Sequence, residues 1–123
     1  MRYFFLLGSL LVFALTPPHS AAPAARAPTV SQDLRCFVLY TIAVGTEKDE
    51  KKMTGVIAGT WYFLGRLDTA SPGFDIKQAM EAGLADLQAN PKAEEIGKAC
   101  DDQFQKRGSD MTDAAKGLEE PSK

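Results

Sequence analysis

Residues 32–45 read QDLRCFVLYTIAVG and contain more apolar side chains than one face of a helix holds. One helical face carries Leu34, Phe37, Val38 and Ile42. The opposite side is apolar as well, with Cys36, Leu39, Tyr40, Ala43 and Val44. A helix that is apolar on all sides is a buried one, so the segment predicts a central helix. A buried strand over residues 36–44 is the alternative, but no other segment offers a clear partner strand.

Three further segments have apolar residues at helical spacing. The second helix is predicted from Met53 to about Thr69, after a charged turn. The third helix follows Asp75 as its N-cap, and the fourth follows Asn90, which precedes a proline suited to the first helical position. The fourth helix either continues past Gly108 or breaks there. Because the connections are short, neighbouring helices are expected to be antiparallel, and the sequence predicts an all-α, four-helix bundle-like domain.

The start of the chain has the three-part layout of a secretory signal. Arg2 precedes an apolar run at residues 3–15, and small residues follow, with cleavage expected after Ala24. The predicted organisation is a signal peptide, a flexible leader and one helical domain, at residues 1–24, 25–30 and 31–120. The apolar run is shorter than the roughly 20 residues that cross a bilayer as a helix, and no later run is longer, so no membrane span is expected.

The charge of the chain bears on its partners. It has 14 basic and 16 acidic side chains, and one basic residue, Arg2, leaves with the signal peptide. An acidic chain opposes binding to a phosphate backbone, so no nucleic acid partner is expected. The signal predicts a periplasmic protein, with secretion from the cell as the alternative. No sequence feature indicates a particular oligomeric state.

The chain has two cysteines, Cys36 and Cys100. Two cysteines in a short exported chain most simply form one disulfide, which joins the first helix to the last. A redox site is the alternative, but the chain has no Cys-x-x-Cys spacing. Zinc needs about four ligands, and two isolated cysteines do not supply them. We therefore predict a structural disulfide, with no metal and no cofactor.

The only histidine of the chain is His19, which lies within the predicted signal peptide. The mature chain then has no imidazole for a catalytic triad, a proton shuttle or a metal site. The paired carboxylates, such as Asp101 and Asp102, are adjacent in sequence and point about 100° apart on a helix, so they do not converge on one substrate atom. No catalytic residue is predicted, and an enzyme is the least favoured class of function.

One candidate partner or ligand surface lies on the second helix. Gly55 and Gly59 are four residues apart, and they indicate close approach of another helix, either within this domain or from a partner. Trp61 and Tyr62 belong to a run of three aromatics that spans about 200° of the helix, so at least one is expected at the surface. Arg66 follows Tyr62 by one turn. Tyr62 and Arg66 beside the glycines form an anchor for a partner or, alternatively, the rim of an ordinary core.

Several sequence stretches support a resemblance to known proteins. They are the Leu34-Arg35-Cys36 start of an apolar helix, the run 62–68 (YFLGRLD), the run 71–75 (SPGFD) and the late Cys100. Together they resemble small uncharacterised exported helical proteins of Gram-negative bacteria. In size, helicity and a single long-range cysteine pair, the chain is also loosely similar to periplasmic acid-stress chaperones. Neither resemblance assigns an activity.

Two hypotheses of function follow. The first is a non-enzymatic periplasmic interaction or binding module, which holds a protein, a peptide or a small ligand near Trp61, Tyr62 and Arg66. The second is an acid-responsive periplasmic chaperone. Protonation of the carboxylates near pH 3 to 4 leaves a strongly positive chain, which loosens and exposes its apolar helices.

Overall fold

The computed structural model describes residues 29–119, which form four α-helices without a strand. The helices are α1 (Gln32–Thr46), α2 (Glu50–Ala70), α3 (Ile76–Ala89) and α4 (Ala93–Glu119). The all-α prediction is confirmed, and the alternative of a strand in the first segment is wrong. The predicted signal peptide and most of the leader lie outside the described residues. Val30, at the end of the predicted leader, packs against the core.

The central helix is α1, because α2, α3 and α4 all pack against it and make few contacts with one another. This arrangement confirms the position that its all-round apolar sequence predicts. The fully or nearly fully buried apolar residues come mainly from α1 and from the faces turned toward it: Leu34, Cys36, Phe37, Val38, Phe63, Leu67, Phe74, Ala79, Leu87 and Cys100. The consecutive helices α2 and α3 do not form a packed hairpin.

The predicted disulfide is present between Cys36 and Cys100, with the two Cα atoms 5.4 Å apart. Both cysteines are buried, and the bond ties α4 to the N-terminal half of α1. Contacts on either side of the bond show that the two helices are antiparallel. Gln103 reaches Asp33, and Gly97 lies beside Leu39. A formed disulfide is consistent with an extracytoplasmic protein.

The helix ends follow their capping residues. Ser31 caps α1 by accepting a hydrogen bond from the Leu34 N–H, and Asp75 caps α3 as predicted. The start of α2 differs from the prediction, because Asp49 accepts hydrogen bonds from two backbone N–H groups and the helix begins at Glu50 within the charged stretch.

The boundaries of α4 also differ from the prediction at its start. Asn90 accepts a hydrogen bond from the Lys92 N–H, but it does so in a turn, and the helix begins only at Ala93. At the other end α4 continues through Gly108 to Glu119 without a break. None of the described helices combines the length and the hydropathy that crossing a membrane requires.

Candidate functional site

The helix that carries the candidate surface, α2, has an inner side and an outer side. Gly59, Phe63 and Leu67 are buried on the inner side, which packs on α1. Their four-residue spacing keeps them on one face, and this face fixes the rotation of the helix. The rotation in turn decides where the remaining site residues lie.

The two glycines of the candidate surface have different surroundings. Gly59 lies directly under the ring of Tyr40, and a Cβ atom at this position would overlap the ring. Gly59 therefore serves packing inside the domain. Gly55 has no atom near the position of a Cβ, so it lies on an open surface of α2. The structure separates the two residues that the sequence groups together.

Tyr62 and Arg66 line one groove together with Asp33 of α1. The Arg66 Nε donates a hydrogen bond of 2.8 Å to Asp33 Oδ1, and the guanidinium lies 5.8 Å from the centre of the Tyr62 ring. The hydrogen bond to Asp33 raises the pKa of Arg66, against the opposing effect of partial burial. Gln103 of α4 donates to the same carboxylate at 3.5 Å. The groove encloses about 510 Å³ and is open to solvent.

Tyr62 itself belongs partly to the core. Its ring packs edge-on against Phe63 with centroids 4.9 Å apart, and against Phe104 of α4 at 5.8 Å. Tyr62 therefore connects α2 to α4 while its outer edge faces the groove. Tyr62 is thus a core aromatic at the rim of a surface groove, and its role as an anchor for a partner stays a prediction.

Trp61 points away from this groove. Its side chain is 68% exposed, and Ile57, one turn earlier on the same side, is 42% exposed. Trp61 and Arg66 are five residues apart, which places them about 140° apart around the helix. The candidate residues therefore form two surfaces. We call Ile57 and Trp61 the outer face of α2, and Asp33, Tyr62 and Arg66 the polar groove.

Three aspartates connect the other helices to α1, and the sequence analysis did not identify them as a group. Arg66 of α2 donates to Asp33, and Tyr40 Oη donates to Asp101 of α4 at 2.8 Å. Arg35 donates to both carboxylate oxygens of Asp86 on α3, at 2.6 and 3.2 Å. Each packing contact of α1 thus includes at least one carboxylate that accepts a hydrogen bond across it.

Asp86 and Tyr40 are two further members of these pairs whose pKa values shift. The hydrogen bond from Arg35 lowers the pKa of Asp86, although partial desolvation opposes the effect. Burial raises the pKa of Tyr40 above its ordinary value, and the hydrogen bond to Asp101 adds to the increase. The partners in the Arg35–Asp86 and Tyr40–Asp101 pairs are more than 50 positions apart in the chain, so no local sequence signal predicts them.

Within residues 29–119, no three His, Cys, Asp or Glu side chains are grouped so that they could hold a metal ion. Comparison with protein-family models, with curated proteins and with solved structures gives no match, so the arguments below depend on the geometry of the chain itself.

Proposed function

We propose that the protein is a non-enzymatic interaction module of the periplasm, and that it binds a protein partner through the outer face of α2. The observation that carries the proposal is the exposure of Trp61. A side chain of this size normally contributes to a core, but here 68% of it is in contact with solvent. Tryptophan is enriched among the residues that dominate binding energy at protein interfaces.

The surroundings of Trp61 suit a docking surface. Ala58 and Gly65 are exposed neighbours on the same side of α2, and neither has a side chain that would keep a partner away from the indole. Ile57 adds a second apolar contact one turn away. The partner we expect presents an apolar cavity that accepts the indole ring, with a polar rim around it.

The polar groove extends this docking surface with charged chemistry. The Nε of Arg66 donates to Asp33, and the Arg66 side chain is 47% exposed, so its guanidinium can also reach a ligand in the groove. Guanidinium groups bind carboxylates with two parallel hydrogen bonds. A partner that wraps around α2 from Trp61 would place an acidic side chain in this groove.

The proposal is tested by cross-linking pull-down from the exported fraction, followed by titration of the purified partner. Trp61→Ala is expected to weaken binding about thirtyfold, as for a central interface residue. Ile76→Ala is the matched control, because Ile76 is 52% exposed but lies on α3, and it should bind as the wild type does. Arg66→Ala reports separately on the polar groove. Wild-type affinity in Trp61→Ala would contradict the proposal.

An acid-responsive chaperone is the second candidate, and the ion pair between Arg35 of α1 and Asp86 of α3 favours it. Protonation of Asp86 breaks this ion pair and weakens the contact between α1 and α3, while the disulfide keeps α1 attached to α4. The opened chain would expose the apolar surface of α1 to client proteins. Dye binding and suppression of client aggregation at about pH 3 test this candidate. A protein that stays closed and inactive in acid would contradict it.

A further inference from the structure

A second groove lies over the C-terminal half of α1, between α2 and α4. It encloses about 300 Å³, and α1 forms its floor. We call it the apolar groove. It is lined by residues of all three helices: Leu39, Tyr40, Ala43, Val56, Gly97 and Asp101. It shares no residue with the outer face of α2 or with the polar groove.

The apolar groove is open because side chains do not fill the space between its two walls. Helices α2 and α4 make few contacts with each other. Gly97 has no side chain, and for a Cβ atom at this position the nearest atom of another helix is Leu39 Cδ1, at 3.9 Å. Ala43 contributes only a methyl group to the floor. A volume of about 300 Å³ lies at the lower end of the range for sites that hold small molecules.

Most of the lining of the apolar groove is apolar, but one end is charged. There Tyr40 Oη donates a hydrogen bond of 2.8 Å to Asp101 Oδ1. Asp101 is exposed, so its carboxylate can also accept a hydrogen bond from a ligand. Among the described residues that line the groove, it is the only one with a charged side chain. The basic neighbour on the same helix, Lys98, is hydrogen-bonded to Asp102 instead, at 2.7 Å. An occupant that matches this lining has an apolar body and one cationic end.

We infer that the apolar groove binds a small amphipathic amine. Its apolar body packs against the Tyr40 ring, Leu39 and Val56, and its ammonium group donates a hydrogen bond to Asp101. Burial of the body supplies most of the binding free energy, and the charged end selects a cation over a neutral or anionic molecule of the same shape. A helix of a partner protein is too large, because one helical turn about 10 Å across occupies more than the volume of the groove. The amine is therefore a different ligand from the protein partner proposed for Trp61.

Three probes of nearly equal size separate the effects of shape and charge. Phenethylamine is a cation at neutral pH, phenethyl alcohol is neutral and hydrocinnamate is an anion. NMR titration of the isotope-labelled exported protein with the amine should give saturable shifts of the backbone amide signals of Ala43, Gly97 and Asp101. The alcohol should bind about fivefold more weakly, as expected for the loss of one exposed ionic contact, and the anion more weakly still.

Asp101→Asn tests the charged end of the groove. The variant keeps an oxygen that accepts the hydrogen bond from Tyr40 but removes the negative charge, so the amine and the alcohol should bind about equally well. Asp113→Asn is the matched control, because it makes the same change on the exposed C-terminal part of α4, and it should keep the preference for the amine.

Gly97→Leu tests the apolar part of the groove. The space beside Gly97 lets a leucine side chain extend into the groove, so the saturable shifts should be lost with all three probes. Gly108→Leu adds the same side chain to the same helix at a position with no atom nearby, and it should bind the amine as the wild type does.

Circular dichroism shows whether each variant keeps its helices, so an unfolded variant is not mistaken for one that has lost the site. Shifts that do not saturate by about 10 mM amine, or a wild type that binds the amine no better than the alcohol, overturn the inference. A folded Gly97→Leu protein with wild-type affinity also overturns it, because the amine then binds elsewhere. If that variant does not fold, Asp101→Asn decides, and a retained preference for the amine in this variant overturns the inference.

Discussion

The inner and outer sides of α2 both carry large aromatic residues, but their surroundings are opposite. Phe63 is completely buried against α1, whereas Trp61, two positions earlier, is 68% exposed. Burial in the core explains why Phe63 is aromatic. It does not explain Trp61, because replacing an exposed side chain costs the fold little. The comparison teaches that apolar character on the inner side serves folding, while on the outer face it needs another reason.

The largest expected effect concerns the disulfide, which attaches α4 to α1, the helix on which the inner side of α2 packs. Replacing Cys36 and Cys100 together with alanine should lower the free energy of unfolding by about 4 kcal/mol, because the disulfide closes a long loop. Denaturant unfolding of the variant and of the reduced wild type measures this loss. A loss below about 1 kcal/mol would show that the disulfide contributes little to the stability of the helical core.

Gly59 and Gly55 form a matched pair on the same helix. Gly59→Ala should destabilise the protein by about 1–3 kcal/mol, because its Cβ overlaps Tyr40. Gly55→Ala has no such contact and should stabilise α2 by about 1 kcal/mol through helix propensity alone. Thermal and urea unfolding of both variants measure the difference. Equal effects at the two positions would contradict the assignment of Gly59 to the inner side.

The ring of Tyr40 packs against Gly59, and its hydroxyl has a raised pKa. The folded protein keeps the phenolic proton at pH values where the unfolded chain, with a pKa near 10.0, loses it. The stabilisation is therefore complete below about pH 10 and decreases as the pH rises further. Tyr40→Phe should lose about 0.5–1.5 kcal/mol at neutral pH and should remove its share of the alkaline decrease. Urea unfolding between pH 7 and about pH 11 checks both effects.

Asp86 provides the corresponding test in acid, with a smaller effect because the pair with Arg35 is partly exposed. Its lowered pKa means that its stabilisation is complete above the unfolded value of 3.8 and is lost as the pH falls through the folded value. Asp86→Asn should flatten the decrease of stability below about pH 4. An unchanged acid profile would remove Asp86 from the proposed acid response.

The sequence predicted the parts of the fold that depend on local patterns. The central position of α1 follows from its apolar residues on all sides, and the disulfide follows from the cysteine count. The early start of α2 was missed, because Asp49 is one acidic residue within a charged run and its capping role depends on backbone geometry. The division of the candidate surface was missed as well. The division depends on which of the three consecutive aromatics packs on α1. Phe63 does, and its burial leaves Trp61 exposed on the other side of α2.

The hydrogen bonds that connect α1 to its neighbours were beyond local sequence reasoning. Asp101 looks like one member of an exposed acidic pair, and it is exposed, but its carboxylate accepts a hydrogen bond from the Tyr40 hydroxyl. Such a partner is set by how two helices pack, and no spacing within either helix encodes it.

The smallest expected effect on stability concerns Trp61 on the outer face, and the same variant tests most directly whether this residue serves binding. Trp61→Ala should change the free energy of unfolding by less than about 0.5 kcal/mol, because the indole is mostly in solvent. The same variant should lose capture of the partner in the exported fraction. A folded variant that binds as the wild type does, or one that is destabilised by several kcal/mol, would contradict the claim that Trp61 serves binding and not folding.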